Sequence, residues 1–158
     1  MKRCPLGIVL AIAVVFPAFG QDVPFAQPTV NANGPRLSDL MAAVQLRHVK
    51  LWYSGSVRNW PLANYELGQI KESFENAARL YTNIPVDTIV ANTKPLDSLD
   101  EAVKTKDGAS FVRAFLDLTH GCNSCHQAAQ IGFIVVKLPT ASPTASPFSD
   151  QTFTPTQR

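Results

Sequence analysis

The sequence predicts an all-α fold: an antiparallel four-helix bundle with C-x-x-C-H near the end of the last helix and an extended C-terminal tail. Three observations lead there. Apolar residues recur at alternating spacings of four and three in successive stretches, the period of a helix with one buried face. The connections between those stretches are mostly short, which sets neighbouring helices antiparallel. No segment alternates convincingly with the period of a strand.

The chain has 158 residues, enough for one domain. Met1-Lys2-Arg3 is a short positive start, followed by an apolar run from Leu6 to Phe19. Ala18-Phe19-Gly20 offers small residues where a signal peptidase reads. Residues 1–20 are therefore expected to be a signal peptide, cut near Gly20-Gln21. The run is short for a membrane span and contains Pro17; an uncleaved anchor is the alternative. Cys4 precedes the apolar run, so it does not look like a lipoprotein cysteine. Signal removal deletes Cys4 and leaves two of the three cysteines. Loss of Lys2 and Arg3 takes the 14 basic residues to 12, against 12 acidic. With no basic stripe interleaved with aromatics, nucleic acid is not an expected partner.

Residues 21–35 form an extended leader. Residues 36–132 hold the helices. Helix one opens at Arg36 or Ser38, with Ser38 and Asp39 as capping residues. Its buried stripe is Leu37, Met41, Val44, His48 and Leu51, and Gly55 stops it. Helix two starts at Pro61, a residue suited to a first turn, with the stripe Ala63, Leu67, Ile70, Phe74, Ala77 and Tyr81. Residues 82–95 are expected to form a longer loop. Leu96, Leu99 and Val103 mark a shorter third helix. Asp107-Gly108 breaks it, and Asp107 caps the fourth. Helix four carries Phe111, Phe115, Leu118, Cys122, Cys125 and Ala129, with Gly132 as its C′ residue. Residues 133–158 form a Pro/Ser/Thr-rich tail, expected to be solvated and extended. Phe148 and Phe153 are the tail residues suited to pack back on the bundle.

Cys122-Asn123-Ser124-Cys125-His126 is the attachment signature of a c-type haem. Two thiols add across the two vinyl groups of one porphyrin edge, and the adjacent His reaches the iron. On a helix, Cys122, Cys125 and His126 share one face. A thioredoxin-like pair would sit at the start of a helix after a strand. A zinc site would need a fourth ligand at sensible spacing, which is missing. A disulfide between cysteines three apart on a helix would be strained.

Four helices with C-x-x-C-H near the end of the last resemble the class II cytochromes c, the cytochrome c′ group. The resemblance covers residues 36–132 and rests on one motif plus helix order. It implies a periplasmic protein carrying one covalent haem c, with an open sixth iron position or a Met ligand from the first helix. Many relatives carry a basic residue shortly after the haem His. Gln127-Ala128-Ala129-Gln130-Ile131 has none, so Arg36 or Arg47 is expected to meet a haem propionate instead. The long tail also departs from the family.

His126 is the expected proximal ligand. After signal removal Met41 is the remaining methionine, so a His/Met haem must use it. Helix one starts beside the end of helix four, and Met41 and His126 match in height. In relatives with a Met ligand, that ligand sits at this position. A methionine on an apolar stripe is otherwise core filler. His48 lies about 10 Å further along the axis and is the other distal candidate. His120 lies about 240° around the helix from His126 and faces away.

A thioether opposite His closes the iron and favours electron transfer. The expected function is thus a single-electron carrier serving periplasmic redox partner proteins. An open iron beside Leu37, Leu40 and Val44 would instead favour NO or CO. A third alternative is a haem subunit docked to a larger redox enzyme through the tail. Catalysis is not indicated, because no second acid–base constellation sits in the stripe. No membrane span is expected after signal cleavage. A homodimer through the first two helices, common in the family, is not demanded by any feature.

Overall fold

A computed structural model describes residues 34–81, 84, 86–141, 148 and 151–155; the side chains at 86, 89, 90, 92 and 93 lie outside that description. The expected signal peptide, Cys4 and nearly all of the leader also fall outside it. Among the described residues there are four α-helices and no strand. They are α1 (Leu37–Ser56), α2 (Trp60–Leu80), α3 (Val86–Thr105) and α4 (Gly108–Ala128). Each packs against two others, α1 on α2, α2 on α3, α3 on α4 and α4 on α1, as in a four-helix bundle.

The stripes meet in one core. Leu51, Ala63, Leu67, Ile70, Leu99, Ala102, Phe111, Phe115 and Leu118 are almost wholly excluded from solvent. Trp52 lies along Phe111 and Phe115, and Trp60 meets Phe111 edge-on. Burying each such aromatic or aliphatic side chain contributes about 1.5–3 kcal/mol.

Two connections are built alike. At the end of α1, Arg58 takes a left-handed φ of 59°, and Asn59 N–H donates to the Ser54 carbonyl. At the end of α3, Lys106 takes a φ of 58°, and Asp107 N–H donates to the Ala102 carbonyl. Both are Schellman closures, which satisfy carbonyls that a helix end leaves open. The residue that completes each closure then caps the next helix. The Asn59 side chain accepts from Leu62 N–H, and that of Asp107 accepts from Ala109 and Ser110 N–H. One residue doing both tasks keeps the hairpins short.

Four expectations are corrected. Helix three begins at Val86, ten residues before Leu96, and runs through Pro95. Proline removes one backbone bond, to the Ala91 carbonyl, and Ala91 is exposed so water can take that role. Gly55 does not stop α1 but lies buried inside it. Its missing side chain makes room for Phe111: a Cβ there would stand 2.1 Å from Phe111 Cζ. The C′ residue of α4 is Gln130, at a φ of 60°, not Gly132. Ser38 and Asp39 do not cap α1 but lie inside its first turn; the N-cap is Arg36, without a side-chain cap bond, and Asp39 pairs with the Arg36 guanidinium instead.

The close approach at Gly55 makes a prediction. Alanine would gain about 1 kcal/mol of helix propensity but force apart a fully buried ring, at about 1–3 kcal/mol or more. With an overlap this deep the clash wins, so Gly55→Ala is expected to lower the urea midpoint at unchanged slope. An unchanged or raised midpoint would show that α1 and α4 are not in contact there.

The tail returns to the bundle. Leu138 packs against the core, Lys50 lies 5.2 Å over the Phe148 ring, and Phe153 is 3% exposed. Phe153 meets Tyr53 edge-on, and its carbonyl accepts from Asn59 Nδ2. Phe148 and Phe153 thus pack back on the bundle as expected of them; most of the repeat expected to be solvated, residues 142–147, lies outside the described residues, as do 149, 150 and 156–158.

Candidate functional site

The C-x-x-C-H run lies in the last two turns of α4. Cys122 and Cys125 are free thiols and, like His126, half-buried. Cys122 packs, partly buried, against the core, as do Met41 of α1, Phe74 of α2 and Leu138 of the tail. Burial, with a smaller contribution from Cys125, pushes the Cys122 thiol up to about 11, and burial raises Cys125 too. Both are thus protonated near neutral pH, unlike the thiolate of a dithiol exchange site.

His126 is held by the chain that follows it. Gln130 N–H donates to the Gln127 carbonyl and Ile131 N–H to the His126 carbonyl, a third Schellman closure. The chain then reverses, and the Ile134 carbonyl comes 2.7 Å from His126 Nδ1. A carbonyl can only accept, so Nδ1 carries a proton, and in the neutral ring Nε2 keeps its lone pair. One turn earlier, Asn123 Nδ2 donates to the Val136 carbonyl at 2.9 Å, and Val136 N–H donates to Asn123 Oδ1 at 2.8 Å. Asn123, Ile134 and Val136 escaped the sequence analysis. Nothing local signals a contact across so many residues.

The α1–α4 register follows from three contacts. His48 Nε2 lies 2.8 Å from Thr119 Oγ1, Trp52 meets Phe115, and Gly55 meets Phe111. The two helices are therefore antiparallel. Two turns from His48 towards the start of α1, the same register sets Met41 level with His126. Met41 is half-buried, as are Leu37 and Leu40.

His48 is occupied elsewhere. It is 2% exposed, its ring tilted against that of Phe115 with centroids 4.3 Å apart. The Thr119 hydroxyl donates to the Phe115 carbonyl, so it accepts from His48 Nε2–H. His48 Nδ1 is buried without a partner. His120 is exposed, and its carbonyl accepts from Ser124 Oγ.

The two arginines differ. Arg36 is exposed at the start of α1, bonded through two nitrogens to Asp39 at 3.0 Å. Beside it, the Pro35 carbonyl accepts from the buried Tyr81 hydroxyl, tying the end of α2 to the entry of α1. Arg47 pairs with Glu66 of α2 at 3.0 Å and lies over the Tyr65 ring. The Glu66 side chain is 2% exposed, so Arg47 neutralises a buried carboxylate.

Among the described residues, no group of three or more His, Cys, Asp or Glu converges to hold a bare metal ion, and no helix is long and apolar enough to cross a membrane. No protein-family model, curated protein or solved structure matches the chain.

Proposed function

We propose that this chain is an exported c-type monohaem cytochrome, built as a four-helix bundle with the haem at the far end of α4, and that it carries single electrons. One observation supports it above the others. Two thiols and an imidazole stand on one face of α4, and the imidazole keeps its Nε2 lone pair because Nδ1 is bonded to Ile134. Ligating histidines commonly hold their other nitrogen in this way. The donor set fits haem c: Cys122 and Cys125 as thioether sulfurs, His126 as proximal ligand. When bound, the haem supplies a one-electron couple whose potential the axial ligands tune.

The remaining roles belong to the chain. Met41, at the height of His126, is the proposed distal ligand. Met41, Phe74, Cys122 and Leu138 supply apolar surface that would exclude water. Arg36, on the same end and paired only through a solvent-exposed bridge to Asp39, is the proposed propionate contact; Arg47 is committed to the buried Glu66. His48 is less suited to the distal role, since Thr119 accepts its Nε2–H. Phe153 packs against Tyr53 of its own bundle, which supports the carrier reading over a tail given wholly to an enzyme partner. Export after residue 20 would bring the chain to periplasmic redox partner proteins.

Absorption spectra test this. Purified protein should carry covalent haem and be low-spin, with a sulfur-to-iron charge-transfer band indifferent to CO. Met41→Ala should abolish the band and open the iron to CO. A high-spin wild type that binds CO, unchanged by Met41→Ala, would refute Met41 ligation and make NO or CO binding the function. Absence of covalent haem in protein matured with haem-attachment machinery would refute the haem assignment itself.

A further inference from the structure

We propose that Asn123, the first variable residue of the C-x-x-C-H run, is the positioning residue of the His126 ring. The inference rests on the proposed haem role for its consequence, but its geometry belongs to this chain alone. Asn123 and His126 are three apart on α4, so both face the returning chain. His126 Nδ1–H donates to the Ile134 carbonyl. Two residues on, Asn123 makes both bonds that Val136 can offer, accepting its N–H and donating to its carbonyl.

The segment has little else to hold it there. Phe133, Ile134 and Val135 are 74%, 43% and 56% exposed, so apolar burial does not fix their place. The Schellman closure ends at Ile131, and the bond from Ile134 N–H to the Ile131 carbonyl only shapes the turn. Leu138 anchors the chain against the core, but four residues beyond Ile134. Between these anchors, the Asn123 pair sets the register that puts the Ile134 carbonyl on His126. An unconstrained histidine side chain in water favours its Nε2–H tautomer, which cannot ligate through Nε2. Asn123 therefore acts through Ile134 to hold the ring as a ready Nε2 donor. Outer partners of this kind raise ligand basicity and are worth about 10–100-fold in metal affinity.

The test compares wild type, Asn123→Ala and Asn123→Asp in two arms. In the full chain before haem attachment, ¹⁵N NMR reads the His126 tautomer. Wild type should be Nδ1–H. Asn123→Ala should shift to Nε2–H and exchange its Val136 amide about tenfold faster. Asn123→Asp keeps the acceptor for Val136 N–H, should fall between, and decides the matter if the alanine variant does not fold. In the haem-loaded chain, a less basic His126 should raise the midpoint potential in the same order. The inference is overturned if wild type is the Nε2–H tautomer. It is also overturned if tautomer and potential stay unchanged while only the Val136 amide opens, since Asn123 would then merely fasten the tail. If no haem attaches, the haem assignment fails and the tautomer arm still decides the role of Asn123.

Discussion

Arg47→Ala is expected to destabilise the bundle by about 3–5 kcal/mol, more than removing an ordinary surface arginine would. The reason lies in Glu66, whose side chain is 2% exposed and which has the Arg47 guanidinium 3.0 Å away. An exposed ion pair contributes about 0–1 kcal/mol. Removing one member of a buried pair is different, because it strands the other charge without solvent. Arg47 also lies 5.6 Å over the Tyr65 ring, so the truncation loses a second, smaller contact. The decisive control removes both charges. Arg47→Met with Glu66→Met should recover most of the loss, since matched apolar side chains commonly replace a buried pair at little cost. Chemical denaturation of the single and double variants checks this. A loss below about 1 kcal/mol in Arg47→Ala would mean that Glu66 is solvated after all.

Acidification should weaken the fold by about 3 kcal/mol between pH 6.5 and pH 4, before most carboxylates titrate. His48 is the cause. Burial among Phe115 and its neighbours pushes its folded value down from 6.5 to about 4. The unfolded chain therefore takes up a proton through this window while the folded chain does not. Stability is fully present above pH 6.5 and falls by about 1.4 kcal/mol per pH unit until pH 4. Asp39, Asp100 and Asp107 are held below their ordinary 3.8 by partners, Arg36, Lys104 and Ser110 foremost. Stability from these groups is lost as pH falls below 3.8, outside the window. His48→Gln should lower stability at pH 7 yet flatten the slope between pH 6.5 and 4. Measuring the chain before haem attachment keeps ligation of His126 out of the profile. An unchanged slope in His48→Gln would assign the effect to another group.

The periodic parts of the fold were legible because a helix repeats. The stripe of α2 from Ala63 to Tyr81 and that of α4 from Phe111 to Leu118 are buried as the spacing requires, apart from the partial exposure of Phe74. Asp107 caps α4 because a short side-chain oxygen suits the open N–H groups of any helix start. The same local rules misjudge Gly55, Gln130 and Pro95. Glycine usually ends a helix, but Gly55 is there for the ring of Phe111, 56 residues away. A left-handed φ usually selects glycine, but all three closures use Arg58, Lys106 and Gln130. Their geometry is set by the helix that must follow or the chain that must return.

By itself, the sequence determined three of the helices and the latter half of α3, the Asp107 cap of α4 and the one face that carries Cys122, Cys125 and His126. Each of these is written within a few residues, where the backbone repeat alone fixes which side chains meet. Tertiary structure decided the burial of Glu66 under Arg47, the Thr119 partner of His48, the docking of Phe153 on Tyr53 and Asn59, and the Asn123 pair that seats Ile134 on His126. Their hydrogen bonds join residues 8 to 94 positions apart. Whether such groups meet depends on how closed helices pack and where the chain returns, which no local period encodes.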